Sequence, residues 1–215
     1  MVGFLGAGLN LLKGGIYFRR VLTEFGRHWA FWVVSGSIGF GGFYALICFA
    51  ADHSPGWVVA ATWQLTIIAS LVVLMLFERT FPRRIWLYSA IVFAGVLLVN
   101  ISHIDSGNTE TLLMGASPVL LAAFLYPLGN QLVWEAKHGR KGLPRVDAGL
   151  LENAFAKVFL LSLGSLPFWA LLYPFTSEPP PANSQFFNVA LVALFSGVIA
   201  TSLFLAARNS ADHAS

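Results

Sequence analysis

Long apolar runs separated by short polar connections dominate the pattern of this chain. A helix rises 1.5 Å per residue, so about 20 apolar residues cross a bilayer. Six runs qualify: residues 29–51, 55–77, 85–102, 112–134, 150–173 and 186–207. The third is the shortest and the fifth the least clean. Hydrocarbon offers the backbone no water partners, so each run is predicted to be helical. Residues 1–12 are also apolar but too short to cross, and Lys13 interrupts them. They read as a partial span, a surface-lying helix or a weak span with a snorkelling lysine. No positive region precedes them, which argues against a cleaved signal peptide. The connections are punctuated as turns. His53-Ser54-Pro55-Gly56 is a tight one, Pro179-Pro180-Pro181 a stiff one, and residues 139–144 form a longer basic loop at the midpoint.

Charge sets the direction of these spans. All 13 Lys and Arg fall at one end of the runs. Lys13, Arg19, Arg20 and Arg27 precede the first run, and Arg79, Arg83 and Arg84 separate the second from the third. Lys137, Arg140, Lys141 and Arg145 separate the fourth from the fifth, near whose start Lys157 lies, and Arg208 follows the sixth. The alternate connections, around Asp52, Asp105 and Glu178, contain none. Cationic loops stay cytoplasmic, so the chain is predicted to weave through the inner membrane with its C-terminus inside. Trp29, Trp32, Trp57, Trp86 and Trp134 lie near run ends, where interfacial anchors belong.

Composition agrees: apolar residues make up 57% of the chain and charged residues 11%, with mean hydropathy +0.71. The net charge of +3 does not indicate nucleic acid, because the basic residues are spread over separate loops rather than gathered in a stripe. Anionic lipid headgroups are the better partner. Cys48 is the single cysteine, so no intrachain disulfide or thiolate metal site is expected. His28, His53, His103, His138 and His213 lie outside or at the edge of the runs, without ligand spacing. No metal or cofactor is predicted.

An internal repeat marks the two halves. Ser35-Gly36-Ser37-Ile38 followed by Phe43-Tyr44-Ala45 recurs as Ser196-Gly197-Val198-Ile199 followed by Phe204-Leu205-Ala206, at the same offset. Ala51-Asp52-His53 recurs one residue out of step as Ala211-Asp212-His213. The two copies run in opposite directions, which is a transporter signature; chance similarity of two helices rich in small residues is the alternative. The predicted architecture is an all-α integral membrane protein with six full transmembrane helices, a partial N-terminal one and an inverted-repeat bundle. It forms a single transmembrane domain, in which residues 1–102 end the first repeat, 112–207 begin the second, and 135–149 link them on the cytoplasmic side.

Small and polar residues within the runs supply the candidate chemistry. Ser37, Gly41 and Ala45 form one stripe, Ser35 and Gly39 another, and Ala193, Gly197 and Thr201 a third. Such stripes allow close helix packing, either static or sliding, and Gly41-Gly42 permits bending. Gln64 lies near the middle of an uncharged run, beside Thr62, Trp63 and Thr66. An amide at that depth needs partners, which either a substrate cavity or an interhelical hydrogen bond supplies. Trp63 would give a cavity an aromatic wall for a cationic or planar ligand. Tyr126 and Asn130 share a face, and Pro127 frees the Ala123 carbonyl and is expected to kink the helix. Asn130 and Gln131 face a cavity or reach headgroup level. Lys157 either snorkels to the inner interface or forms a charged site with Asn153 on its face. No carboxylate lies deep in any of the six runs, so the energy source has no assigned residue.

An intramembrane serine protease fits poorly. Gly115-Ala116-Ser117-Pro118 has proline where a glycine is expected, and no histidine lies deep enough to act as base. The chain is therefore not read as an enzyme. A membrane scaffold or subunit without transport remains the alternative from another class.

The run from Ser35 to Asn100 resembles the drug/metabolite transporter superfamily. The resemblance rests on the glycine-rich helix ending in Phe43-Tyr44-Ala45, on Asp52-His53-Ser54-Pro55 at a turn, on Phe77-Glu78-Arg79 closing the next helix, and on Ala94-Gly95-Val96-Leu97-Leu98. In that superfamily these are the third, fourth and fifth of ten helices. Trp63-Gln64-Leu65-Thr66 and Tyr126-Pro127-Leu128-Gly129-Asn130-Gln131 are similar to the multidrug resistance efflux branch, and residues 196–207 to the eighth helix. The first helix, most of the second and the last two have no counterpart here, which is expected of a fragment, a mispredicted start and stop, or a shortened member. The proton-coupling glutamate of the small four-helix relatives would lie in the missing first helix. The resemblance implies two inverted repeats around a central cavity and export of small cationic or amphipathic compounds by alternating access. A metabolite exporter of the same superfamily is its alternative. Gln64, Trp63, Tyr126 and Asn130 are the expected substrate-binding residues. The expected partners are a small-molecule substrate and the lipid bilayer; a coupling ion and a homodimer are left open.

Overall fold

In the computed structural model, residues 15–101, 109–176, 182–192 and 194–195 are described. They are helical, with no strand among them. Helix α1, Gly15–Arg27, is amphipathic and basic. Helix α2, Trp29–Gly36, continues through a π-helical stretch, Ser37–Gly42, into α3, Phe43–His53. The widened turn falls on Gly39, Gly41 and Gly42, where the sequence allows bending. Helix α4, Gly56–Trp63, and α5, Thr66–Leu76, follow, then α6, Arg83–Ile101, and α7, Thr109–Lys137. Helix α7 passes through both Pro118 and Pro127. The short α8, Ala148–Leu151, leads to α9, Ala154–Leu172, which tightens into a 3₁₀ turn at Tyr173–Phe175; α10 is Asn183–Val192.

Among the described residues, four helical segments are long and apolar enough to cross a membrane: Trp29–His53, Gly56–Leu76, Leu113–Lys137 and Ala156–Phe175. They correspond to the first, second, fourth and fifth expected runs. Helix α6 occupies the third, and α10 the start of the sixth. Residues 1–12, most of the sixth run and the second copy of the repeat lie outside the described residues.

The described residues fall into two compact units, divided at Gly36/Ser37 and at Glu135/Ala136. In the first, α2 and α9 approach backbone to backbone. A Cβ on Gly164 would collide with the Trp32 carbonyl, and one on Gly36 with Leu161 O and the backbone of Gly164 and Ser165. Trp32 is fully buried at this crossing, so it is a core residue and not the interfacial anchor expected from its position. One turn inside the span, its backbone carbonyl faces Gly164, and the close approach of the two helices encloses the residue. Ser35 returns its hydroxyl to the Phe31 carbonyl at 2.8 Å, which lets a polar residue sit in the crossing without an open donor.

The same unit contains a tether between residues far apart in sequence. Arg20 Nε donates to Asp147 Oδ2 at 2.9 Å, and Arg20 Nη2 bonds the same oxygen. Asp147 also caps α8 by accepting from Leu150 N at 3.1 Å, and its own N–H donates to Glu24 Oε1 at 3.2 Å. Burial pushes the Asp147 carboxyl up, but the Arg20 hydrogen bond and the Leu150 amide outweigh it and hold the carboxyl below the usual range. Arg19, Arg20, Thr23, Glu24, Arg27 and Asp147 line an open polar cavity of about 340 Å³ here.

The charge of Asp147 therefore stabilises this unit above the carboxyl's unfolded pKa, and the effect is lost as pH falls through the lower folded value. Asp147→Asn keeps a cap and removes the charge. It should lower stability at pH 7 by about 0.5 to 1 kcal/mol, the pair being partly solvated. Thermal unfolding of both proteins at pH 7 and in acid checks this. The gap should close in acid, and a gap independent of pH would exclude the charge as its source.

Candidate functional site

The second unit gathers aromatic side chains from three spans. Phe43 of α3 stands at the centre, 8% exposed. Its ring centroid lies 5.0 Å from that of Trp63 at the end of α4 and 5.2 Å from that of Tyr126 on α7. Trp63 and Tyr126 meet edge to face at 6.0 Å, and Tyr44 packs on Phe43 at 4.6 Å. Tilted and edge-on contacts suit the ring quadrupoles. Tyr44 and Tyr126 are 44% and 38% exposed, so the cluster is closed at its base and open along one face. A backbone approach brings the helices together here: a Cβ on Gly39 would stand 3.0 Å from the Gly129 Cα. The Ser35/Gly39 stripe is thus a packing surface at Gly39.

Next to the cluster, the second span tightens locally. Helix α4 ends at Trp63 and α5 starts at Thr66. Across the gap the bonds tighten to three-residue spacing, Gln64 N to Ala61 O at 3.2 Å, Leu65 N to Thr62 O at 3.0 Å and Ile67 N to Gln64 O at 3.2 Å. The Thr66 hydroxyl donates to the Trp63 carbonyl at 2.6 Å. The Gln64 side chain is exposed and has no hydrogen-bond partner among the described residues. Beside it, Thr62 Oγ1 is buried without a partner among them. An unpaired amide or hydroxyl within a membrane span is costly.

The expected site residues divide accordingly. Trp63 and Tyr126 come together, and Gln64 follows Trp63 in sequence with its side chain exposed. Asn130 Nδ2 donates to the Tyr126 carbonyl at 2.9 Å, one turn back on the same helix. Phe43 and Tyr44 were not singled out from the sequence as lining residues; an aromatic pair closing a glycine-rich helix was the available signal.

A second cluster lies at the basic end of α7. The helix continues past Trp134, which brings Glu135 into the apolar segment, 1% exposed. Gln131 Nε2 donates to Glu135 Oε1 at 2.8 Å, and Gln131 is buried, 9% exposed. Arg79 Nη2 lies 3.9 Å from the same oxygen, and its guanidinium stands 4.3 Å from the centroid of the Trp134 ring. Glu135 was missed because the apolar run stops before it; its four-residue spacing from Gln131 was the readable clue. No group of three or more acidic, histidine or cysteine side chains suited to a metal occurs among the described residues.

Comparison with known proteins agrees with the membrane character of these helices. The sequence profile described as "Putative multidrug resistance efflux transporter" matches residues 1–215. The chain is 36% identical over 202 residues to the uncharacterized protein YjlA of Bacillus subtilis (strain 168), covering 87% of this chain and 59% of that one. It is 35% identical over 192 residues to an uncharacterized 42.1 kDa protein of Shouchella clausii, encoded in the intracellular alkaline protease 3′ region, covering 83% and 47%. The chain thus spans about half the length of the curated relatives it matches. No solved structure matches.

Proposed function

Because this chain belongs to the multidrug resistance efflux transporter family of multi-pass membrane proteins, we propose that it exports small cationic or amphipathic compounds by alternating access. In this reading it sits in the inner membrane with its C-terminus cytoplasmic. Six full spans and a partial N-terminal one form part of two inverted repeats. Gln64, Trp63, Tyr126 and Asn130 line the substrate path, joined by Phe43 and Tyr44.

The observation that supports the reading is the meeting of an open aromatic face with a locally tightened turn of the second span. Aromatic faces attract organic cations while rejecting hydrated inorganic ones. The tightened turn keeps its backbone bonded, so what it offers is a side chain. The exposed Gln64 amide gives such a substrate a polar contact.

Flux of rhodamine 6G, a fluorescent organic cation, across vesicles containing the purified chain tests the proposal. Saturable, protein-dependent flux is expected, and its absence under any imposed ion gradient would leave the chain a scaffold or subunit. Gln64→Leu should cut the rate about tenfold without preventing insertion, as loss of one hydrogen bond to a charged or polar ligand does. An unchanged rate removes Gln64 from the path.

A further inference from the structure

Glu135 is a carboxylate almost wholly buried at the basic end of a membrane span, and it needs a positive partner. The partner it has is held loosely. Arg79 Nη2 stands 3.9 Å from Oε1, beyond hydrogen-bond reach, and the Arg79 side chain is 36% exposed. What holds the guanidinium is the Trp134 face, 4.3 Å away, together with the carboxylate charge. Arg79 itself sits in the short connection between α5 and α6, not on a helix. The residue before it, Glu78, has φ of 63°, a left-handed conformation that side chains other than glycine adopt at a cost. That turn is closed by Glu78 N to Met75 O at 2.9 Å and Arg79 N to Leu74 O at 3.1 Å.

These contacts describe a cation site filled by the protein's own cation. A guanidinium is planar, charge-delocalised and weakly hydrated. An indole face beside a buried carboxylate selects for those properties. We propose that Trp134 and Glu135 form a recognition site for planar organic cations at the cytoplasmic end of α7, and that Arg79 is its displaceable internal occupant. Gln131 is the positioning residue, since its amide fixes the Glu135 oxygen that faces Arg79. An arriving cation replaces Arg79 on the indole and supplies the charge that Glu135 requires. Arg79 then swings out on a connection already held in a strained turn, so its departure relaxes the Glu78 backbone. The empty site closes again over Arg79, which prevents a bare buried carboxylate from forming between ligands. The placement of this site on the export path rests on the transporter reading above; the site itself rests on the geometry.

Benzamidine, whose planar amidinium matches the Arg79 head group, is the probe. Its binding to the chain is measured by calorimetry in detergent, with neutral benzamide as the control. Wild type should bind benzamidine and not benzamide. Arg79→Ala, which removes the internal competitor, should bind benzamidine about tenfold more tightly, whereas Glu135→Gln and Trp134→Leu should each bind it at least tenfold more weakly. Arg79→Ala leaves a buried charge uncovered, so it should unfold at a lower temperature than wild type, and benzamidine should restore more of that loss than it adds to wild type. Arg79→Gln should behave in the same way if Arg79→Ala fails to fold. A purely structural ion pair predicts weaker or unchanged binding in the Arg79 variants, and that result overturns the proposal. So does undiminished binding in Glu135→Gln. The two readings fail separately. Tighter binding by Arg79→Ala without rhodamine flux sinks the exporter alone, and flux without tighter binding sinks this site alone.

Discussion

Gly164→Ala should destabilise the protein, while the same substitution at Gly95 should stabilise it. Both glycines lie inside helices, where alanine is intrinsically favoured by about 1 kcal/mol. Nothing lies within 4 Å of a Cβ on Gly95, so that gain is kept. A Cβ on Gly164 runs into the Trp32 carbonyl and the backbone next to it. Backbone cannot move aside as a flexible side chain can, so α2 and α9 must separate. Their separation loosens the packing around Trp32, Leu160 and Leu161, which are at most 1% exposed. Membrane helices have no hydrophobic drive to bring them together, and close packing is what they lose. Overpacking of this kind costs about 1 to 3 kcal/mol even after the helix gain is counted. Thermal unfolding in detergent of the two variants, with insertion checked separately, should show shifts of opposite sign. Equal shifts would mean that the α2–α9 crossing tolerates a methyl group and is not the close approach described.

Trp63→Ala should weaken rhodamine 6G binding by about tenfold or more. The indole contributes in two ways. It supplies a face to the cation, worth about 0.5 to 2 kcal/mol depending on desolvation. It also holds Phe43 and Tyr126 in their tilted arrangement, each such contact being worth about 0.5 to 1.5 kcal/mol. Removing it leaves the open side of the cluster without a wall. Trp63→Phe restores a smaller face with a weaker quadrupole and should recover part of the affinity. Fluorescence titration of the three proteins measures this series. Equal affinity in wild type and Trp63→Ala would detach the aromatic cluster from substrate recognition.

The helical, membrane-spanning character of the chain and its family were readable from residues alone. Uninterrupted apolar runs force helices, and Trp63-Gln64-Leu65-Thr66 and the Tyr126–Gln131 segment carry the resemblance. Four features were not readable, each for a physical reason. The tightened turn at Gln64-Leu65 has no proline or glycine to announce it; the local bond from the Thr66 hydroxyl to the Trp63 carbonyl is one that the sequence permits without requiring. Glu135 looks like a loop residue because a charge ends any apolar run, and only the buried Gln131 amide and Arg79 make its depth tolerable. Trp32 sits where an interfacial anchor belongs, and its burial depends on Gly164, 132 positions away in sequence. The Arg20–Asp147 tether spans 127 positions and has no local signature.

Among the expected lining residues, Trp63 and Tyr126 adjoin, and Asn130 bonds back to the turn of Tyr126. Gln64 is the one whose surroundings decide the account, because an exposed amide in a span faces either the substrate path or lipid. A cysteine at that position reports which. In a Cys48→Ser background, Gln64→Cys in sealed vesicles is treated with a membrane-impermeant maleimide from one side or the other. Alternating access predicts modification from both sides, with rhodamine 6G slowing the reaction on each. Modification from neither side, or from one side only whatever the ligand, would contradict an export path at Gln64.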